Sequence, residues 1–254
     1  MFCLDLELQR FTLQLEVIKR LLKKKRTLKY LISFLLEPIS YLVLALSVSF
    51  HAWRSSGRLK YKVLAGFFLT ATLLTVATLR LEVANIVIYD ILCLLTSICL
   101  SVYFFYSLII PWKKMVTVVL CLTQISQFVL SNIVFKSAPL FDSMGYVILS
   151  VCIVIMIFMY LHQILSNVTE EALSLNFDFW FVSSQLIYFL GSFIIFLTFN
   201  YLTRKILPAE LYSEENRTLL TNLWGVHNVL LFLSSLLTLG SVIWIAFHKK
   251  LQSS

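Results

Sequence analysis

Seven apolar runs, each long enough to cross a lipid bilayer, lie between residues 31 and 247 of this 254-residue chain. A helix needs about 20 apolar residues to span the hydrocarbon, and a helix satisfies its own backbone hydrogen bonds there. The runs are continuous, whereas the strands of a membrane β-barrel alternate apolar and polar residues. The sequence therefore predicts an all-α polytopic membrane protein, a bundle of seven transmembrane helices.

Short connections between the runs predict that neighbouring helices are antiparallel. The predicted spans are 31–53, 63–80, 83–110, 115–134, 145–166, 180–203 and 219–247. Small residues spaced by four permit close helix contact, and such pairs occur at Ala71/Thr75, Ser97/Ser101 and Ser234/Thr238.

Charged residues make up 13% of the chain, against about 25% in soluble domains. The net charge is +8, and residues 1–30 carry eight basic and three acidic side chains. We interpret this basicity as topology and contact with the lipid bilayer, with no nucleic acid as partner. The predicted divisions are a basic amphipathic leader over 1–30, a membrane domain over 31–247 and a short cytoplasmic tail over 248–254. A start-site extension is the alternative for the leader.

One end of the predicted bundle, here called the tryptophan end, carries four interfacial tryptophans: Trp53, Trp112, Trp180 and Trp244. Its loops and the C-terminus hold eight basic residues, and the opposite loops hold five. Basic loops favour the cytoplasm, so we expect the C-terminus inside and the N-terminus outside. Counting the basic leader reverses this tally.

Four stretches follow one another in a distinctive order: residues 85–90 (NIVIYD), 141–146 (FDSMGY), 177–196 (FDFWF, then YFLGS, then F) and 223–230 (LWGVHNVL). They resemble motifs of a family of small seven-helix inner-membrane proteins of Bacteroidetes-type bacteria. This chain departs from the family pattern at Asp90, where asparagine is usual, and at His227. The resemblance implies a bacterial inner-membrane location and an accessory sensory or signalling role, with a membrane-bound sensor histidine kinase as partner.

Buried polar residues gather in the leaflet opposite the tryptophan end. An ionisable group in hydrocarbon costs at least about 2.5 kcal/mol and therefore usually faces a bundle interior or a watery cavity. The sequence predicts a small-ligand or proton pocket in the periplasmic leaflet, built from Glu37, Asp90, Asn200, Asn222, His227 and Asn228. The ligand is not identified.

Other roles for these polar groups stay open. They can simply hydrogen-bond one helix to another, and Glu37, just before Pro38 near the predicted helix start, can complement the helix dipole. Asp90 and His227 can form an acid–imidazole pair. Gln124, near the middle of the fourth span, is predicted to join helices rather than to hold an ion.

The sequence contains no recognisable catalytic, cofactor-binding or metal-binding motif, so we expect no enzymatic activity. No lysine lies inside a predicted span, which argues against a retinal Schiff base. A channel or a proton-coupled transporter is the alternative function, because buried carboxylates can relay protons. A purely structural membrane subunit is a further alternative.

Overall fold

A computed structural model describes residues 26–55, 58–78, 85–131, 143–166, 173–205 and 214–252. These ranges form seven α-helices: α1 (Arg26–Arg54), α2 (Leu59–Thr78), α3 (Asn85–Ser107), α4 (Pro111–Val129), α5 (Ser143–Leu165), α6 (Phe177–Lys205) and α7 (Glu214–Gln252). Residues 1–25 of the predicted leader lie outside the described residues.

Six of the helices are long and apolar enough to cross a membrane, namely α1, α2, α3, α5, α6 and α7. This confirms the prediction of a multi-pass helical membrane protein. Helix α4 is not among the six; it has 19 residues, and Lys113 and Lys114 lie near its start. The seventh span, predicted over 115–134, stays a prediction.

Several helices begin before the apolar runs that predicted them. Helix α1 begins at Arg26 rather than at residue 31, α2 begins at Leu59 rather than at residue 63, and α7 begins at Glu214 rather than at residue 219. Hydrophobicity marks only the part of a helix that lies in hydrocarbon, while backbone hydrogen bonding continues beyond it. Charged residues at the ends of the runs therefore belong to helices.

Six helices close into a ring. Neighbours around the ring are α1, α2, α3, α5, α6 and α7, and α7 packs back against α1. Helix α4 packs against α3 and α5, while its Met115 and Leu122 are 71% and 57% exposed. It therefore lies outside the ring, in the groove between α3 and α5.

Small and polar residues are buried at helix contacts of the bundle. They include both members of each small-residue pair: Ala71, Thr75, Ser97, Ser101, Ser234 and Thr238. In the α6–α7 contact, Ser184 Oγ lies 2.8 Å from Thr238 Oγ1. A Cβ at Gly191 would strike the Leu230 side chain, so glycine allows α6 and α7 to approach closely there.

Candidate functional site

Glu37 lies well inside α1 with its side chain turned into the bundle. The helix begins at Arg26, about three turns earlier, and only 3% of Glu37 is exposed. The effect of a helix dipole is confined to the first turn, so the dipole interpretation of Glu37 is wrong. The Tyr89 hydroxyl of α3 donates a hydrogen bond of 2.9 Å to Glu37 Oε2. Glu37 is thus a buried carboxylate held by another helix.

Tyr89 connects α1 to two more helices. The Tyr146 hydroxyl of α5 donates a hydrogen bond of 2.6 Å to the Tyr89 carbonyl oxygen. The Trp224 ring of α7 meets the Tyr89 ring edge to face, with 4.9 Å between ring centroids. Tyr89 therefore contacts α1 through its hydroxyl, α5 through its backbone and α7 through its ring.

His227 lies one turn beyond Trp224 on α7 and is 3% exposed. Its Nε2 lies 3.3 Å from the Tyr188 hydroxyl, and its Nδ1 lies 3.1 Å from Ser192 Oγ. Its ring packs against Trp224, with 5.3 Å between centroids. Both ring nitrogens are thus occupied by α6, and the acid–imidazole pair with Asp90 is not formed.

These contacts make one connected set, the Glu37 network, with seven members: Glu37, Tyr89, Tyr146, Tyr188, Ser192, Trp224 and His227. All members except Glu37 fall within the four sequence stretches that carry the family resemblance, and each stretch contributes at least one of them. The fold brings these distant stretches together on the inner faces of α3, α5, α6 and α7.

A small cavity lies beside the network. It has a volume of about 20 Å³ and is lined by Tyr41, Tyr146, Tyr188, Ser192 and Phe196, among other residues. A water molecule needs at least about 10–15 Å³ of this kind of space. The cavity therefore accepts a water molecule or another species of that size, and an organic ligand does not fit in this conformation. The chemistry available to the network is hydrogen bonding and proton exchange.

The other four predicted pocket residues are not among the seven members of the Glu37 network. Asp90 lines a different cavity, between α3, α4 and α5. Asn200 is buried and donates a hydrogen bond of 3.2 Å to Met144 Sδ. Asn228 is fully buried, whereas Asn222 is exposed. Of the six residues predicted for one pocket, Glu37 and His227 belong to the Glu37 network. Asp90 lines a second cavity instead.

A second polar cluster, which the sequence analysis missed, lies at the tryptophan end. Lys60 Nζ of α2 is 2.6 Å from Asp178 Oδ2 of α6, and both side chains are nearly inaccessible to solvent. The Tyr61 and Tyr103 hydroxyls donate hydrogen bonds of 2.9 and 2.8 Å to Asp178 Oδ1. Lys60 Nζ also donates to Ser107 Oγ at 3.1 Å. We call these five residues the Asp178 cluster.

The backbone around this cluster is tied down by further side chains. Gln163 of α5 accepts a hydrogen bond of 2.8 Å from the Ile109 amide and donates one of 3.2 Å to the Ser107 carbonyl oxygen. Lys113 of α4 donates a hydrogen bond of 3.0 Å to the Met159 carbonyl oxygen. The end of α3, the start of α4 and the end of α5 are therefore fixed to one another.

Two lysines are buried in the bundle among the residues whose burial the structure describes, although no lysine lies inside a predicted span. The predicted second span began at residue 63, but α2 begins at Leu59, and Lys60 is 6% exposed. Lys113 of α4 is 3% exposed. The predicted spans leave Lys60 in the loop between residues 53 and 63 and Asp178 in the loop between residues 166 and 180, and both loops lie at the tryptophan end. Because these two loops carry opposite charges at one end of the bundle, the sequence could have predicted this ion pair.

The chain matches no known protein-family model, no curated protein and no solved structure. The Glu37 network and the Asp178 cluster are therefore the features that bear on its function.

Proposed function

We propose that this chain is an accessory sensory membrane protein of a bacterial inner membrane and has no enzymatic activity. In this proposal the Glu37 network binds a proton or a ligand of the size of water. A partner in the same membrane, a sensor histidine kinase by the family resemblance, responds to the change. The tryptophan end faces the cytoplasm, and the Glu37 end faces the periplasm.

The observation that carries the proposal is the incomplete hydrogen bonding of Glu37. A carboxylate can accept about four hydrogen bonds, and Tyr89 is the one donor to Glu37 among the residues whose side chains are described. A buried charge with so little compensation is unfavourable, so its protonation or solvation strongly changes the local interactions. Two arrangements with similar free energies can then be exchanged by a small ligand.

The route from the network to a partner follows the helices that carry it. Glu37 lies on α1, and the rings of Trp224 and His227 lie on α7, which packs against α1. Both helices expose apolar side chains on their outer faces; Leu46 is 61% exposed and Leu233 is 47% exposed. A shift between α1 and α7 would therefore change a surface that a neighbouring membrane protein can contact.

Purification from native membrane in a gentle detergent tests the role directly. We expect the wild-type chain to retain a membrane-bound partner, and we expect Glu37→Gln and Tyr89→Phe to change the output of that partner. Thr70→Val is the matched control, because Thr70 is exposed and its hydroxyl bonds only within α2, to the Gly66 carbonyl oxygen. The sensory role fails if no partner is retained. A retained partner that ignores Glu37→Gln would instead indicate a purely structural subunit.

The proposed orientation rests on the basic loops and on the tryptophans. Trp53, Trp112 and Trp244 are 80%, 58% and 50% exposed at one end of the bundle, where interfacial anchors belong. Reporter fusions after Lys114 and after Arg204 test it. Periplasmic activity of the fusion at Lys114 would reverse the proposed topology.

A proton-coupled transporter is the second candidate, and polar contacts midway between the two buried clusters favour it. Gln185 Nε2 of α6 donates a hydrogen bond of 3.1 Å to Ser234 Oγ of α7, and the Ser184–Thr238 contact lies next to it on the side toward Asp178. A continuous polar path would let protons cross the bundle. Proton uptake by liposomes that contain the purified chain, abolished by Glu37→Gln, would rank this candidate first.

A further inference from the structure

A third cavity lies at the tryptophan end, between α1, α7 and the segment that precedes α6. Its volume is about 100 Å³, against about 20 Å³ for each of the two cavities described above. Its lining includes Arg54 and Ser55 at the end of α1, Leu175 before α6, and Val242 and Ile245 of α7. A water molecule needs about 10–15 Å³ of such space, so this cavity accepts a group several times the size of water.

The cavity lies at the level where a bilayer places its lipid headgroups. Trp53 precedes Arg54 on α1 and is 80% exposed, and Trp244 precedes Ile245 on α7 and is 50% exposed. Exposed tryptophans of membrane proteins lie at the interface between hydrocarbon and water. Both helices that form the cavity therefore cross this interface beside it, whichever side of the membrane the tryptophan end faces.

Arg54 supplies the positive charge of the cavity. Its guanidinium carbon lies 4.9 Å from the centroid of the Phe50 ring, a cation–π contact that holds the group in place. The N–H donors of a guanidinium lie in its plane and match the oxygens of a phosphate in pairs. Within the part of the chain that the structure describes, Arg54 forms no ion pair, so an anion from outside the protein can take that place.

The rest of the lining joins one hydroxyl to an apolar wall. The Ser55 hydroxyl lies 3.5 Å from the Ala52 carbonyl oxygen, and a hydrogen bond of that length is weak, so the hydroxyl can turn to an anion. Leu175, Val242 and Ile245 are apolar. A free phosphate ion gains nothing from such a wall, whereas a phospholipid carries glycerol and acyl chains next to its phosphate.

We propose that this cavity binds the phosphate group of an anionic phospholipid. The Arg54 guanidinium and the Ser55 hydroxyl contact the phosphate oxygens, and the apolar part of the lipid lies along Val242 and Ile245. Basic pockets between membrane helices bind such headgroups. A zwitterionic headgroup brings its own ammonium group, which competes with Arg54 for the phosphate. The proposal is independent of the Glu37 network, which lies at the other end of the bundle.

Native mass spectrometry of the purified chain tests the site, with phosphatidylglycerol or phosphatidylcholine of the same acyl chains added in detergent. We expect phosphatidylglycerol to bind about tenfold more tightly or more, the value of one hydrogen bond between charged groups. Arg54→Gln should lose this preference. Ser55→Phe fills the cavity and keeps the arginine, so it should also weaken the binding of phosphatidylglycerol.

Arg58→Gln is the matched control and should keep the preference. Arg58 is exposed like Arg54, and its replacement removes the same charge, but it is not among the residues that line the cavity. Equal losses in Arg54→Gln and Arg58→Gln would show attraction to a basic surface and would overturn the proposal.

Two further results would contradict the proposal. Equal binding of both lipids by the wild-type chain would mean that Arg54 does not select an anionic headgroup. Displacement of the lipid by an equal concentration of inorganic phosphate would assign the cavity to a free anion. If Arg54→Gln does not fold, the comparison of lipids on the wild-type chain and the Ser55→Phe variant still decide.

Discussion

Each end of the bundle buries a carboxylate, and the two carboxylates differ in how many hydrogen bonds they receive. At the tryptophan end, Asp178 receives hydrogen bonds on both oxygens, from Lys60, Tyr61 and Tyr103. At the other end, Glu37 receives one hydrogen bond from the side chains that the structure describes, and Tyr89 is its donor. A fully bonded polar cluster makes a structure rigid, whereas an incompletely bonded charge responds to protons, water or ions. The comparison separates a part of the protein that holds helices together from a part that can change.

Charge balance explains the difference. Lys60 neutralises Asp178 at 2.6 Å, and its ammonium group also reaches Ser107. The Glu37 network contains no lysine or arginine, so among the described residues only dipoles compensate a negative charge on Glu37. The desolvation cost of a buried ion is recovered only when the pairing and the remaining hydrogen bonds are good. That condition is met in the Asp178 cluster and not at Glu37.

The largest predicted effect comes from breaking the ion pair. Lys60→Met leaves Asp178 buried without its counter-charge, and removing one partner of a buried pair costs about 3–5 kcal/mol. We expect the free energy of unfolding to fall by about that amount, measured by equilibrium unfolding in mixed micelles with sodium dodecyl sulfate as denaturant.

The double variant Lys60→Met, Asp178→Asn checks the cause. Removing both charges should recover much of the loss, because no unpaired ion remains. If Lys60→Met alone has the same free energy of unfolding as the wild-type chain, the Asp178 cluster does not hold α2 to α6. The proposed difference between the two ends would then be wrong.

The membrane class and most helices could be predicted because hydrophobicity over long runs is a strong signal. Hydrophobicity predicts the ends of helices less well, since α1 extends back to Arg26 and α2 to Leu59. The earlier helix starts change two interpretations. Because α1 begins at Arg26, Glu37 lies too far along the helix to complement its dipole, and because α2 begins at Leu59, Lys60 lies inside the bundle.

The site could be predicted only in part, because tyrosine is ambiguous in a sequence. Tyr89, Tyr146 and Tyr188 look like core aromatics, yet each hydroxyl bonds to another helix. Their partners are Glu37, the Tyr89 carbonyl oxygen and His227, respectively. The direction of each side chain around its helix could not be read from spacing alone. For that reason the sequence predicts Asp90 and His227 in one pocket, whereas Asp90 lines the cavity beside α4.

Matched Tyr→Phe substitutions should give smaller effects that differ between the two ends. Tyr89→Phe leaves a buried carboxylate without its donor, which costs about 1–3 kcal/mol for an unsatisfied group. Tyr103→Phe leaves Asp178 with Lys60 and Tyr61, so we expect a loss of about 1 kcal/mol. Unfolding of both variants in the same micelles measures the difference.

The comparison predicts the order of these two losses as well as their size. Both substitutions remove one hydroxyl and keep the ring, so packing changes little in either case. A larger loss for Tyr103→Phe than for Tyr89→Phe would mean that Glu37 is not the less compensated carboxylate.

The smallest stability effect is predicted for Glu37→Gln, and the same isosteric change at Asp178 is its control. The carboxamide introduced by Glu37→Gln keeps an oxygen that accepts the Tyr89 hydrogen bond and removes a charge that has little compensation. We therefore expect the free energy of unfolding to change by no more than about 1 kcal/mol, in either direction.

Asp178→Asn instead leaves the Lys60 ammonium buried without a counter-ion, so it should destabilise the protein by about 3–5 kcal/mol. The two variants are compared by unfolding in the same micelles. Equal losses would show that Glu37 is as firmly built into the structure as Asp178. A small loss at Glu37, together with a changed output of the partner, would show that the carboxylate is retained for its response and not for stability.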